Sequence, residues 1–216
     1  MNRPQRPRVL LADDHLLVAE ALKSLLTPEF DLVGVVEDGR ALIEAAARLR
    51  PDVIVADITM PHLNGIDALV QLRQSGDRVP VVFLTMHRDV TFARRALEAG
   101  ASGFVLKHSA SVELIAAIRA ALEGRTYLTP QIAGEVLDAM KGGPKRGGDP
   151  VGSLTPRQRE VLQLLAEGRS AKEIAASLAI SARTVEFHKY QMMESLGLHT
   201  SAELIHFAIK QGLVEL

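Results

Sequence analysis

The sequence predicts an α/β domain built on a five-stranded, doubly wound parallel sheet, followed by a second, small all-α domain. Three observations predict it. Over the first 125 residues, short β-branched runs alternate with longer segments of helical period, the pattern of βα units. A run rich in glycine and proline, KGGPKRGGDPVG at 141–152, then interrupts the chain with almost nothing to bury. Beyond it, helix-start signatures and helical spacing replace the alternation.

In chain order, the apolar runs place strands at 9–12, 32–36, 53–56, 81–85 and 104–106. The segments between and after them carry apolar residues at helical spacing and place helices at 16–26, 40–50, 65–75, 90–99 and 112–123. Thr129-Pro130-Gln131 opens a further helix, with Thr as the N-cap and Pro at the first helical position, running to about Met140. The glycine-rich run reads as a flexible linker and sets the division: 8–125 for the first domain, 126–153 for linker helix and linker, 154–216 for the second domain. In that last part, Thr155 with Gln158, Ser170 with Glu173 and Thr200 with Glu203 have capping-box spacing, and Ser181 starts a fourth helix.

Composition bounds the function. The 216 residues are 47% hydrophobic, enough for two buried cores, and carry Lys+Arg 25 against Asp+Glu 26, so no global basic field advertises nucleic acid or membrane. The absence of cysteine excludes disulfides, thiolate metal sites and thiol nucleophiles, and suits a reducing compartment, the cytoplasm. The opening MNRPQRPR is basic and proline-rich, but the apolar run after it stops within a few residues, so neither a signal peptide nor a membrane span is expected.

In a doubly wound sheet, ligands sit at the carboxyl ends of the strands. Four strand ends here are polar: Asp13 and Asp14 follow the first strand, Asp57 the third, Thr85 the fourth and Lys107 the fifth. Three converging carboxylates repel one another unless a hard cation offsets their charge, and Mg²⁺, which takes carboxylate, water and phosphate oxygens, suits the set. Such a site makes one carboxylate a phosphoryl acceptor, with Lys107 pairing with the phosphoryl group and Thr85 hydrogen-bonding to it. Singly, each residue has an ordinary explanation: a helix cap, a β-branched strand residue, a solvated lysine. Their joint occurrence at successive strand ends carries the reading. Asp38, Asp52 and Asp67 end no buried strand and are weaker acceptors, and the seven histidines form no ligand cluster at metal spacing.

Asp13-Asp14, Asp57 with Met60-Pro61, Thr85, and Phe104 three residues before Lys107 together resemble the CheY-like receiver domains of two-component response regulators. The resemblance covers about 8–123. It implies that Asp57 accepts a phosphoryl group from a sensor histidine kinase, with Mg²⁺ bound by Asp14, Asp57 and the Thr59 carbonyl and by Asp13 through water. It further implies that Thr85 and Phe104 form a switch pair, and that Thr59 and His87 bear on the lifetime of the phosphoryl group. His108 departs from the residue that commonly follows the lysine, which bears on the local loop.

The second domain contains Ser170 to Leu178, a tight turn through Ala179-Ile180, and Ser181 to Leu196, a helix-turn-helix pattern. Leu154-Thr155, Arg159-Glu160-Val161-Leu162, Gly168, Glu173-Ile174-Ala175, Leu178, Ile180-Ser181, Thr184-Val185, His188, Leu196-Gly197 and Glu203-Leu204 resemble the LuxR-type output domain of the NarL/FixJ response regulators. That resemblance implies double-stranded DNA as partner and a homodimer, promoted by phosphorylation, formed through the last helix at about 201–211.

Seven basic and seven acidic residues between Leu154 and Leu216 cancel, so phosphate attraction must be local. Arg183, Thr184 and Lys189, and then Lys172, are the expected phosphate contacts. Glu186 stands where the family often has lysine. It can accept from a cytosine amino group, with Phe187 or Tyr190 against a thymine methyl. Met192 and Met193 are expected to pack.

Two other classes fit parts of the pattern. A Mg²⁺-dependent phosphohydrolase with an aspartyl nucleophile usually has an acid/base Asp two residues on, where this chain has Thr59. A phospho-switched module whose helices bind protein instead of DNA is compatible with the neutral second domain.

Overall fold

The computed structural model describes residues 6–86, 90–141 and 150–214, which form two compact units. The 142–149 part of the expected linker and His87 lie outside the described residues. No helix among the described residues is long and apolar enough to cross a membrane.

In the first unit the elements run β1 (Arg8–Ala12), α1 (Leu16–Leu26), β2 (Asp31–Val36), α2 (Gly39–Leu49), β3 (Val53–Asp57), α3 (Gly65–Gln74), β4 (Val81–Thr85), α4 (Val90–Glu98), β5 (Gly103–Leu106), α5 (Ala110–Leu122), β6 (Tyr127–Leu128) and α6 (Pro130–Lys141). The strands pair in the order β2-β1-β3-β4-β5-β6, and every pairing is parallel. Strand order reverses beside β1, which has β2 on one side and β3 on the other, so the crevice of the doubly wound fold opens at the ends of β1 and β3.

The five expected strands are all present, and the sheet has a sixth. β6 pairs Tyr127 with Gly103 and Leu128 with Phe104, and the Thr129 N–H donates to the Phe104 carbonyl at 3.0 Å. Two residues are too short to show a period of two, so nothing in the local pattern announces this strand.

Alternation along the strands sorts the core into two layers. Val9, Leu11, Val53, Val55, Val82, Leu84 and Val105 pack with Leu22 and Leu26 of α1 and with Leu114, Ala117 and Ile118 of α5. Leu10, Ile54, Phe83 and Phe104 point to the other face, toward the layer of α2, α3 and α4, and are fully buried. Each such side chain contributes on the order of 2 kcal/mol by leaving water.

Local chemistry sets the helix starts. Asp38 caps α2 by accepting from the Arg40 and Ala41 N–H groups, and Asn64 caps α3 by accepting from Asp67 N–H. Asp67 in turn accepts from Asn64 Nδ2 at 2.8 Å, and Asp52 accepts from Arg8 N–H at 2.7 Å. All three aspartates set aside as acceptors thus have structural partners. At the start of α3, a Cβ on Gly65 would come 2.2 Å from the Asp57 carbonyl oxygen, so only glycine lets the helix pass this close to the strand end.

The second unit contains α7 (Pro156–Ala166), α8 (Ala171–Leu178), α9 (Ala182–Leu196) and α10 (Ser201–Lys210). Thr155, Ser170 and Thr200 each close a complete capping box on α7, α8 and α10, and Ser181 caps α9 through the Thr184 N–H. Ala179 ends α8 in the left-handed region at φ 52°, which turns the chain sharply into α9. The helices close over Val161, Leu162, Leu164, Ile174, Leu178, Val185, Met192, Leu204 and Ala208. Met192 is in that core and Met193 packs against it.

Candidate functional site

β1, β3, β4 and β5 end side by side. Register places Ala12 opposite Ala56, Asp57 opposite Leu84, and Thr85 opposite Leu106. The next residues therefore gather at one edge of the sheet. Asp13 follows β1, its N–H donating to the Val36 carbonyl of β2 at 3.0 Å. Lys107 opens a single 3₁₀ turn, Lys107–Ser109, directly after β5. This turn is the loop geometry that accommodates His108, whose ring lies 3.0 Å from the Gln131 amide oxygen.

Among the described residues, Lys107 brings an ammonium to the carboxylates. Its Nζ lies 2.6 Å from Asp57 Oδ2 and 2.9 Å from Asp13 Oδ2. The other oxygen of Asp57 accepts from the Ile58 N–H at 2.6 Å. Asp13 and Asp57 are buried, whereas Asp14 is partly open to solvent. Burial pushes the Asp57 carboxyl up to about 6, helped by the negative charge of Asp13 and opposed by Lys107 and the Ile58 N–H. Burial by itself lowers Lys107, but the ion pairs with Asp57 and Asp13 outweigh it and hold the ammonium above its ordinary value. Near neutral pH, Asp57 is therefore ionised and Lys107 charged, a nucleophilic oxygen beside a fixed positive group.

The donor set fits a divalent ion. Ligand atoms of Asp13, Asp14, His15 and Asp57 all lie within 4.8 Å of one another. Asp13 Oδ2 is buried and takes no aligned hydrogen bond, its contact with Lys107 being an ion pair. Three carboxylates against one ammonium leave negative charge that oxygen-bound Mg²⁺ would offset. Thr59, buried on the loop after β3, is the further residue expected to contribute, through its carbonyl.

His15 lies beside the acidic pair in space, although the seven histidines form no cluster of their own in the sequence. It is the N-cap residue of α1, a place expected for an aspartate, and its Nδ1 is 2.9 Å from Asp14 Oδ1. The available signal was adjacency: the residue after an acidic pair at a helix start shares its crevice.

Thr85 and Phe104 are both fully buried. Phe104 pairs with Phe83, and Thr85 pairs with Leu106, two positions beyond Phe104, so the two side chains are diagonal neighbours on one face of the sheet. A network missed by sequence reasoning lies next to them. The Leu106 N–H donates to Thr129 Oγ1 at 3.2 Å, and that hydroxyl donates to Glu113 Oε2 at 2.8 Å, which also accepts from the Tyr127 hydroxyl at 3.3 Å. Thr129 is fully buried, so α6 starts from a fixed point beside the lysine-bearing strand end.

On α9, Arg183, Phe187 and Tyr190 are exposed, and the two aromatics are 56% and 63% open, unusual for such side chains. Arg183, Phe187 and Gln191 repeat every four residues and share a face with Glu186 and Tyr190. Two of the charges on this helix are paired. Glu186 Oε2 is 2.5 Å from Lys189 Nζ, and that ammonium lies 5.3 Å from the centre of the Tyr190 ring. The Thr184 hydroxyl is engaged with Ser181 Oγ at 2.8 Å, and Lys172 is exposed on α8.

Comparison with known proteins agrees with both halves of this geometry. Residues 9–119 match the response regulator receiver domain, and residues 152–208 match the luxR family of bacterial regulatory proteins. The transcriptional regulatory protein MctR of Rhizobium johnstonii is 36% identical over 217 aligned positions, covering 99% of this chain and 98% of that protein. The Salmonella typhimurium RcsB response regulator, solved in a study of its conformational dynamism for DNA interaction, is similar at a TM-score of 0.66 and 26% identity, over 98% of this chain and all of that one. A structure of two RcsB dimers bound to two parallel DNAs is similar at a TM-score of 0.59 and 26% identity, over 96% of this chain and all of that one. The chain belongs to the LuxR-type response regulators, which join a receiver domain to a DNA-binding helix-turn-helix domain.

Proposed function

We propose that the protein is a cytoplasmic transcriptional regulator whose DNA binding is switched on when Asp57 takes a phosphoryl group from a sensor histidine kinase. The observation that carries this reading is Lys107 Nζ held 2.6 Å from Asp57 Oδ2, with Asp13 on its other side. An Asp57 oxygen attacks phosphorus as the bond from phosphorus to the donor's imidazole nitrogen breaks, and the imidazole leaves with that electron pair. Lys107 pairs with the phosphoryl oxygens, and the Thr85 hydroxyl donates to one of them. Asp14, Asp57 and the Thr59 carbonyl would hold Mg²⁺, with Asp13 acting through water; when bound, the ion neutralises the phosphoryl oxygens.

Thr85 and Phe104 then move as a pair, since a buried threonine drawn toward the new oxygen vacates space that its diagonal neighbour fills. The result is a shift toward a homodimer joined through α10, which sets two copies of α9 on double-stranded DNA. Residues 8–125 act as receiver, 126–153 as connection and 154–216 as output. Arg183, Thr184, Lys189 and Lys172 contact phosphates, while Glu186, Phe187 and Tyr190 meet base edges. The chain turns over no external phosphate ester; the only chemistry of the receiver is on its own aspartate.

The test is incubation with acetyl phosphate and Mg²⁺, intact mass, and capture and sequencing of sheared genomic DNA, beside Asp57→Ala. A phosphoryl mass increment and an enriched inverted repeat, both confined to the wild type, are the expected result. Modified Asp57 with no DNA enriched would redirect the output domain to a protein partner. Equal enrichment by Asp57→Ala would remove the switch.

A further inference from the structure

The imidazole of His15 faces the acidic pocket, and its contacts among the described residues are with Asp13 and Asp14. Although His15 is the N-cap residue of α1, its side chain makes no capping hydrogen bond. Its Nδ1 lies 2.9 Å from Asp14 Oδ1 and 3.5 Å from Asp13 Oδ1. The backbone fixes this placement, because the His15 N–H donates to Asp13 Oδ1 at 2.9 Å and so ties the residue to the buried aspartate.

We propose that His15 is itself a ligand of the divalent ion, so that this pocket is a mixed nitrogen and oxygen site that favours Mn²⁺ over Mg²⁺. The inference deepens, and rests on, the reading of the pocket as a divalent-ion site.

Geometry is the first support. An octahedral ion with bonds of about 2.1 Å sets adjacent ligand atoms about 3 Å apart and opposite ones about 4.2 Å apart. The separations of Nδ1 from the two carboxylates, 2.9 Å and 3.5 Å, lie near the adjacent value, while the whole set lies within 4.8 Å, a bound wider than the opposite value, so the side chains draw in to hold an ion. The nitrogen is thus at ligand spacing without rearrangement of the backbone.

Charge balance is the second support: buried Asp13 shares one ammonium, Lys107 Nζ at 2.9 Å from its Oδ2, with Asp57, so the three carboxylates keep negative charge for an ion to offset.

Chemistry is the third. Mg²⁺ holds its water and prefers oxygen, whereas imidazole binds the later divalent ions progressively better, with Mn²⁺ the nearest stand-in for Mg²⁺ in size and coordination number. An imidazole in the pocket therefore adds more to Mn²⁺ binding than to Mg²⁺ binding. His15 is half exposed, so it can exchange its carboxylate partner for the ion without leaving a buried group unpaired.

The experiment is electron spin echo spectroscopy of the full chain loaded with Mn²⁺, together with calorimetric titration of Mn²⁺ and Mg²⁺ into wild type, His15→Ala, His15→Gln and Asp14→Asn. The expected spectrum shows ¹⁴N modulation from one imidazole that changes on ¹⁵N-histidine labelling and is lost in both His15 variants. Mn²⁺ affinity should fall about tenfold in those variants, with Mg²⁺ affinity changing less than about twofold. Asp14→Asn should weaken both ions.

Mn²⁺ bound without nitrogen modulation, or with modulation that survives His15→Ala, would overturn the His15 assignment and leave the oxygen site standing. Failure of either ion to bind the wild type, or binding indifferent to Asp14→Asn, would overturn the pocket reading itself and His15 with it.

Discussion

The pocket at the strand ends and the exposed face of α9 both bring opposite charges together, but they hold them under opposite conditions. In the pocket, Asp13 and Asp57 are buried and Lys107 is half-buried at neighbouring strand ends, and burial outweighs the pull of Lys107 to lift Asp57 to about 6. On α9, Glu186 and Lys189 pair across one helical turn with the carboxylate open to solvent and the lysine partly covered, so water and salt reach the pair. A buried charge has one partner geometry, and its role can be read from position. A surface pair is exchangeable, and its role is decided by what binds. On the proposed function, the pocket does chemistry on one group, while α9 trades the Glu186–Lys189 pairing for contacts with DNA.

The sharpest break in the comparison is Asp57→Asn, which removes the nucleophile while keeping its shape. Phosphoryl uptake from acetyl phosphate should be lost entirely, read by intact mass. Lys107→Ala should slow uptake or weaken the phosphorylation response by about 100-fold or more, the scale of losing a preorganised charge partner of a developing oxyanion, read by rapid-quench kinetics.

Next in size is the stability cost of the buried charge. The folded-state value of Asp57 lies above its ordinary value of 3.8, so the folded state binds this proton more tightly than the unfolded chain does. Ionisation therefore costs stability. The cost is absent below about 3.8, grows between there and about 6, and is constant above. A shift of this size corresponds to roughly 3 kcal/mol at most. Asp57→Asn should be more stable than wild type at pH 7.5, and the advantage should vanish by pH 3.5, measured by urea denaturation across that range. A constant difference between the two proteins would mean that Asp57 keeps its ordinary value in the folded protein.

Smaller effects belong to α9. Glu186→Gln releases Lys189, and the slope of log affinity against log salt should steepen by about 0.9, with weaker preference at one base position, measured by fluorescence anisotropy on the selected operator and on scrambled DNA. An unchanged slope would mean that Lys189 already abandons Glu186 on binding. The smallest change is Thr155→Ala, which opens one capping box and should cost about 1 kcal/mol of output-domain stability without altering phosphorylation.

The same contrast explains what could be read in the sequence. Strands β1, β3, β4 and β5 stood out because each is a continuous apolar run buried on both faces, and the pocket stood out because four polar residues end those runs. The three capping boxes were legible because their whole mechanism spans four residues. β6 was not legible: its two residues are a strand only because Phe104 and Gly103 lie beside them. Nor was the bond from Leu106 N–H to Thr129, which joins positions 23 apart and depends on the fold bringing them together. His15 and the pair of Glu186 with Lys189 lay within reach of local spacing, but each has an ordinary surface reading in the sequence, and their partners are seen only in the fold.

That bond has a practical side for anyone recombining such proteins. The chain leaves the receiver through β6 and Thr129, which are stitched to β5 one residue before Lys107 and to Glu113 of α5. A graft made after α5, at the end of the last full βα unit, would discard the stitch and leave the Leu106 N–H without its hydroxyl and Glu113 without its donors. The working seam for transplanting this receiver onto another output domain lies at the far end of α6, past the buried Ile132 and Val136, because α6 packs against α4.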